Sequence, residues 1–512
     1  MNRRRMQGLL LLGACALLLG VSLAFGWQER QTVMGVSIMS ERSYDSLKEY
    51  VYEDLAEYIT QNGQIAAIDQ KENTIYISLD AQAHKEVWNI PITLKLHHPG
   101  YRLYFAPDAA FDDIGQAVRS GHKFTLIASA PTHHMRYQVV FTSLPVIRLQ
   151  TESIQEENEG SLCLWSDYPA DEGYYCVSAS RARWHKRGGI SRMALKTSYK
   201  VTLENRSGAN NNMALLDMGK DDDWILNAMA KEDLKIREMT ITRLWNELQE
   251  TASYQLSMSP CRYVEVVADG KYMGLYMLQR RVDNKLLGAQ YEQAVLFKGD
   301  TSNLQEPVQT ALMLRSNPKQ EPVEKLYEYI LPFYRLIGTS DPQYDVLRLD
   351  EENWLDLNVF CSIFGLGDNA GSKNIYLIRD EKDGEEILRF LLWDTDMSMG
   401  LGWRNDDVRY APEKANRYVD LRREAEGRFA RDRSIYSAYV DQYTHLRSTL
   451  LSQENIIKKV LECHEEITAS GALQRDQETW GLHNNGEDTL ERLIELIRVR
   501  TDWLDETYLK AE

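Results

Sequence analysis

The chain has 512 residues, 43% of them apolar and 26% charged, a balance that excludes a disordered or collagen-like protein. The length points to two or three domains, or to one large domain with additions. The net charge is −17 and the body of the chain carries no concentrated basic patch, which argues against nucleic acid as the main partner.

At the amino terminus, Met1-Asn2-Arg3-Arg4-Arg5 precedes an uncharged, mostly apolar stretch from Met6 to Trp27. Three arginines followed by such a stretch read as a signal anchor or a signal peptide over residues 1–27, with the basic end inside. The stretch is just long enough to span a hydrocarbon core of roughly 30 Å. Ser22-Leu23-Ala24 offers a cleavage site if the segment is removed. Leu12-Gly13-Ala14-Cys15 has the look of a lipid-attachment box, but a long apolar run follows it. The body is therefore expected outside the cytoplasm, either membrane-anchored or secreted to the cell surface.

Residues 28–143 read as a stalk and a small β module. Ser43 to Gln61 has apolar residues at helical spacing, which predicts a helix. Thr74–Leu79, Ile92–Leu96, Tyr101–Phe105, Lys123–Ile127 and Tyr137–Phe141 alternate with period two between turn residues, which predicts short strands. A spacer or docking role is the expectation for this module. His97-His98 and His133-His134 have no matching partners for zinc and are expected in exposed or turn positions. Cys163 and Cys176 flank a turn-rich stretch and are candidates for a disulfide across a hairpin. Cys261, Cys361 and Cys463 are expected as buried thiols.

From Leu144 onward strands and helices mix. Arg187-Gly188-Gly189-Ile190-Ser191-Arg192 is a glycine turn leading into Leu195–Leu203. Strand periodicity there puts Leu195, Tyr199, Val201 and Leu203 on one face, with Lys196, Ser198 and Lys200 on the other. A glycine turn followed by inward lysines suits phosphate binding; an edge strand with solvated lysines is the plainer alternative. Asp223 to Gln249 predicts one or two helices. Tyr263–Val267 and Tyr272–Leu278 flank Asp269-Gly270, the signature of a tight hairpin. Lys298, in Val295–Asp300, is a second candidate for phosphate or hydroxyl contact. Helices are predicted at Trp354–Phe364, Ile435–Leu451, Ile456–Leu473 and Thr489–Trp503.

Two segments carry most of the chemistry. Gly367-Asp368-Asn369-Ala370-Gly371-Ser372-Lys373-Asn374 leads into an apolar strand. Leu392-Trp393-Asp394-Thr395-Asp396 ends a second strand with two carboxylates and is followed by Gly400. Phosphoryl transfer needs one Asp near the attacking hydroxyl, an Asn or Asp on metal, and a further Asp after a strand that holds Mg²⁺ against the nucleotide phosphates. Taken singly, Asp-x-Asp is also a capped turn or a calcium loop.

The ordered series resembles the CotH-type spore-coat protein kinases, an atypical protein-kinase-like family. It runs from Arg187-Gly188-Gly189 with Lys196 and Lys200, through Leu215–Met218, Asp222–Asn227, Asp233 with Arg237 and the Tyr263–Leu278 hairpin, to Asp368, Lys373-Asn374 and Asp394-Thr395-Asp396. The likeness implies an α+β fold: a two-lobed kinase-like domain over residues 144–508 with a helical carboxy-terminal part. It implies ATP- and Mg²⁺- or Mn²⁺-dependent phosphorylation of Ser or Thr on a spore-coat or cell-surface protein. Carried over, Asp368 with Lys373 is the catalytic pair, and Asn374 with Asp394 or Asp396 would be the metal ligands. Lys196 or Lys200 would be the phosphate-contacting lysine, with Lys298 and Arg187 as further nucleotide contacts, while Trp224 and Arg237 look structural. The family more often shows an Arg-Gly-x-Ser-Ser type turn, where this chain has Ile190-Ser191-Arg192 after its two glycines. The chain also departs at Arg280-Arg281, which add positive charge beside the hairpin. A non-catalytic coat-assembly or adhesion protein on the same fold is the alternative. A metal-dependent hydrolase lacks a nucleophile motif.

Overall fold

The computed structural model describes residues 32–80, 91–107, 118, 120–167, 175–189, 194–300, 306–338, 349–366, 369, 373–382, 384–401, 433–482 and 486–509. The basic and apolar amino-terminal segment lies outside them. Among the described residues no helix is long and apolar enough to cross a membrane.

The predicted small strands form the amino-terminal module. Its long strand His133–Thr142 lies antiparallel to Lys123–Ser129 and parallel to Thr74–Ser78. Period-two alternation puts Phe124, Leu126 and Ala128 into a core with Ile75, Ile77, Val139 and Phe141. The helix expected over 43–61 is a correction. Only Glu41–Asp45 is α-helical. Ile59–Gln61 instead pairs with Leu94–Leu96 and Gln64–Ile65, so sheet pairing takes the backbone bonds a helix would have used. Nor are all four histidines at the surface: His134 is buried and its Nδ1 lies 2.8 Å from Lys48 O.

Next comes a closed barrel of seven strands: β1 Val146–Ile154, β2 Asn158–Ser166, β3 Cys176–Lys186, β4 Tyr199–Glu204, β5 Asp223–Asn227, β6 Cys261–Ala268 and β7 Lys271–Arg280. Neighbours are antiparallel except β1 and β6, whose parallel pairing closes the cylinder and leaves no edge. Leu149, Leu164, Val201, Leu203, Trp224, Leu226, Tyr276 and Leu278 fill its interior. Asp269 and Gly270 turn β6 into β7 with φ of 49° and 68°, the two positive angles that a type I′ hairpin needs.

Three expectations fail in the barrel. Cys163 pairs with Ala179, and Cys176 with Ser166, so the two thiols sit three residues out of register and both are free. At about 3.4 Å per residue that offset exceeds the reach of a disulfide. Leu195 is 87% exposed and Lys196 is 4% exposed, the reverse of the predicted faces, because regular strand begins only at Tyr199. The stretch Asp223 to Gln249 is likewise a strand, β5, and one helix, α1 Arg237–Leu248.

A second, four-stranded antiparallel sheet follows, in the order β9, β8, β10, β11: β8 Val295–Gly299, β9 Leu312–Ser316, β10 Ile375–Lys382 and β11 Glu385–Leu392. The helices are α2 Val323–Gly338, α3 Glu351–Phe364, α4 Arg433–Ser448, α5 Gln453–Ala469, α6 Ala472–Trp480 and α7 Leu490–Tyr508. The predicted carboxy-terminal helices are therefore present. The α+β class holds, with one core continuous from α1 through the second sheet into these helices.

The amino-terminal module is locked to the barrel. Tyr76 stacks on Tyr272 with ring centroids 4.4 Å apart. Tyr272 N donates to Asp69 Oδ2 and Gln70 N to Gly270 O. Trp165, fully buried, donates from Nε1 to Gln61 O at 3.3 Å.

Candidate functional site

The antiparallel hairpin of β10 and β11 explains why segments far apart in sequence meet. Ile375 pairs with Leu392, so the residue entering one strand lies beside the residue leaving the other. Trp393 N donates to Asn374 O at 3.1 Å, and Asn374 N donates to Gly299 O at the end of β8. One end of the sheet thus gathers Lys298, Asn374 and Asp394. Asn374 and Asp394 both have left-handed backbone, φ 52° and 55°. That conformation disfavours most residues but suits Asn and Asp. It also breaks the alternation that would have placed Asp394 and Asp396 on one face.

The barrel supplies the opposite wall. Arg187, just past β3, lies with its guanidinium carbon 5.8 Å from the centre of the Trp393 ring. Glu238, in the first turn of α1, is buried, and its Oε2 accepts from Asn227 Nδ2 at 2.9 Å. Burial pushes the Glu238 carboxyl well up, and the charges of Asp394 and Asp396 push it further; Arg187 opposes them. Burial lowers the Lys298 ammonium, against the pull of Asp394 and with a push from Arg187. These mutual effects place Asp394, Asp396, Glu238, Arg187 and Lys298 in one electrostatic cluster. Among the described residues, no group of three or more His, Cys, Asp or Glu side chains is set to hold a metal by itself.

Clamps surround the carboxylates. Asn369, fully buried, donates from one amide nitrogen to Asn374 O at 3.0 Å and to Trp393 O at 2.9 Å. Met399 N donates to Phe364 O, and Met399 O lies 3.4 Å from the guanidinium of Arg237. Arg237 has no exposure and is gripped by Glu232 at 2.9 Å and Asp488 at 2.7 Å, a structural role as read from sequence. Trp224 is a buried barrel side chain.

The remaining candidates are dispersed. Lys373 sits in the turn before β10, next to Asn374. Asp368 lies outside the described residues. Lys200 pairs with Asp223 at 3.0 Å on the outer side of the barrel wall. Lys196 is directed to Asp476 at 2.5 Å. Arg280 and Arg281 do not leave surplus charge beside the hairpin, since Asp221 and Asp223 pair with them at 2.9 and 3.1 Å. Motif reasoning does not pick out Glu238 or Asn369. Glu238 shares a helix face with Ile241 and Trp245, and a carboxylate on an apolar stripe is the signal the sequence holds.

A barrel set against a sheet whose end presents Lys298 with Asp and Asn turns, and a buried Glu and Arg187 opposite, defines an α+β protein with a charged cleft. The CotH kinase protein family matches residues 185–504. The chain belongs to that family. A search of curated proteins finds no match.

Proposed function

We propose that this protein is an ATP- and divalent-cation-dependent Ser/Thr protein kinase that acts on a spore-coat or cell-surface protein. The observation that carries the reading is the gathering of Lys298, Asn374 and Asp394 at one sheet end, opposite Arg187 and Glu238. A site rich in carboxylates that also holds two cations suits polyphosphate and metal together, and family membership supports it.

The donor set fits Mg²⁺ or Mn²⁺. Such ions take one or two carboxylates and complete their shell with water and phosphate oxygens, so a full protein cage is not needed. Asp394 and Asp396 are half-buried and Asn374 adjoins them, which suits them as ligands. The cation would neutralise phosphate charge. Lys298 and Arg187 would orient the phosphates, and Asp368 with Lys373 would face the incoming hydroxyl. The amino-terminal segment would hold the body outside the cytoplasm.

The test is transfer of label from ATP with Mg²⁺ or Mn²⁺ to the protein itself or to a casein-like acceptor, comparing wild type with Asp394→Ala and Asp368→Ala. Transfer lost in both variants supports the kinase. Absence of transfer and of any nucleotide-induced thermal shift in wild type would sink it. The second reading, a non-catalytic coat-assembly protein, draws on the burial of Lys196 away from the cluster; nucleotide binding without transfer would favour it.

A further inference from the structure

Lys196 and Asp476 meet across 280 residues at the end of the barrel. The Lys196 side chain is 3% exposed and that of Asp476 2%. The Lys196 ammonium also donates to Leu275 O and lies 4.6 Å from the centre of the Tyr276 ring. Asp476 Oδ1 accepts from Leu275 N at 2.9 Å, and its other oxygen lies 3.8 Å from Lys235. Gly274 makes room for the contact, because a Cβ there would collide with Asp476 Oδ1.

Helix α6 brings the carboxylate in and is itself pinned. Arg475 grips Glu265 through two bonds of 2.9 and 2.7 Å, and Trp480 Nε1 donates to Met273 O at 2.9 Å. On the other side, the residues after Lys196 are fixed one by one. Tyr276 OH donates to Thr197 O at 3.1 Å, and Ala228 N to Ser198 Oγ at 2.9 Å. Arg187 N donates to Ser198 O at 2.9 Å. Lys196 is therefore the anchor of the return leg whose facing residue is Arg187.

A buried ion pair contributes little net stability over apolar neighbours, because desolvation offsets attraction. Its directional bonds do fix one arrangement. We propose that Asp476 is a positioning residue for the cleft: by holding Lys196 it fixes Thr197 and Ser198, and through the Ser198 carbonyl the backbone of Arg187, which faces Glu238 and Asp394. The nucleotide consequence rests on the kinase reading above, whereas the positioning does not. The groups facing Lys196 are Asp476, Lys235 and the Tyr276 ring. Burial lowers its amine to about 7, against the pull of Asp476. The pair is thus charged below neutral pH and weakens above it.

The experiment measures binding of a fluorescent ATP analogue with Mg²⁺ at pH 6 and pH 8.5. It compares wild type, Asp476→Asn and a paired Lys196→Met/Asp476→Leu variant that keeps the volume without charge. Steady-state kinetics and hydrogen exchange of the peptide Lys186–Gly189 run alongside. Expected are an approximately tenfold weaker affinity in both variants, a raised KM for ATP with kcat within about twofold, and faster exchange at Arg187. Wild type should lose affinity between pH 6 and 8.5 while the variants stay flat. Wild-type affinity and exchange in the folded paired variant would overturn the proposal and leave Asp476 a packing residue. If wild type binds no nucleotide, the kinase reading falls and exchange alone decides: protection at Arg187 unchanged in the variants overturns the positioning role, and protection lost upholds it.

Discussion

Asn374 and Trp393 present their carbonyl oxygens to the same amide nitrogen, that of Asn369, and so the two chemistry-bearing segments share one staple. Asn369→Leu removes both bonds; Asn374 O keeps the bond from Trp393 N, whereas Trp393 O loses its amide donor. At about 1 kcal/mol per bond plus the cost of the unpaired carbonyl, a loss of roughly 3 kcal/mol is expected in urea unfolding. Asn369→Asp should be at least as harmful, because it sets a carboxylate against two carbonyls. A midpoint unchanged in both variants would refute the staple.

Lys196 gives a pH signature. Its amine drops from an ordinary 10.5 to about 7 on folding, so between those values the unfolded chain holds a proton that the folded one lacks. Its contribution to stability therefore falls as pH drops from 10.5 towards 7 and is level below. As pH falls through that range, the Lys196→Met/Asp476→Leu variant should gain on wild type by about 1 kcal/mol per pH unit. Unfolding curves at pH 7, 8 and 9 that stay parallel for the two proteins would contradict this.

Glu238 has the opposite sign. Its carboxyl is raised on folding, so the folded chain keeps a proton that the unfolded chain releases, and its contribution falls as pH climbs above the ordinary 4.5. In a chelator at pH 7, Glu238→Gln is expected to melt about 1–2 °C above wild type, with the gap closing by pH 4. Adding Mn²⁺ should raise the wild-type melting temperature more than the variant's. An equal response in both would separate Glu238 from any cation bound there.

Gly274→Ala tests the seat of helix α6. The residue has φ +91°, a strained angle for any side chain, and the new methyl would press on Asp476. Backbone strain and the clash together are expected to cost about 3 kcal/mol. Full stability in that variant would mean that α6 yields.

Legibility follows locality. The Asp269-Gly270 hairpin and the helices α3, α4, α5 and α7 are written in turn residues and periodic apolar positions and stand close to where expected, whereas the separate helix α6 is not foreseen. The barrel's closure is not: Val146 to Leu149 pair with Glu265 to Ala268, and nothing local in either strand announces it. Cysteine spacing carries no register, so it misleads on the disulfide. Leu195, Tyr199 and Val201 suggest a period that makes Lys196 a strand lysine, yet its setting depends on Asp476, far along the chain. Within the cleft, Asn374 and Asp394 are visible as motifs, whereas Glu238 becomes visible only with its neighbours.

The stretch that matches the family begins at residue 185, at the penultimate residue of β3. The barrel needs β1, β2 and most of β3, all upstream of that point. A start at residue 144 would keep the cylinder but bare Tyr272 and Trp165, which the amino-terminal module covers. Choosing expression boundaries by the matched span would therefore cut through a folding unit, and keeping that unit whole with its cover calls for a start near residue 32.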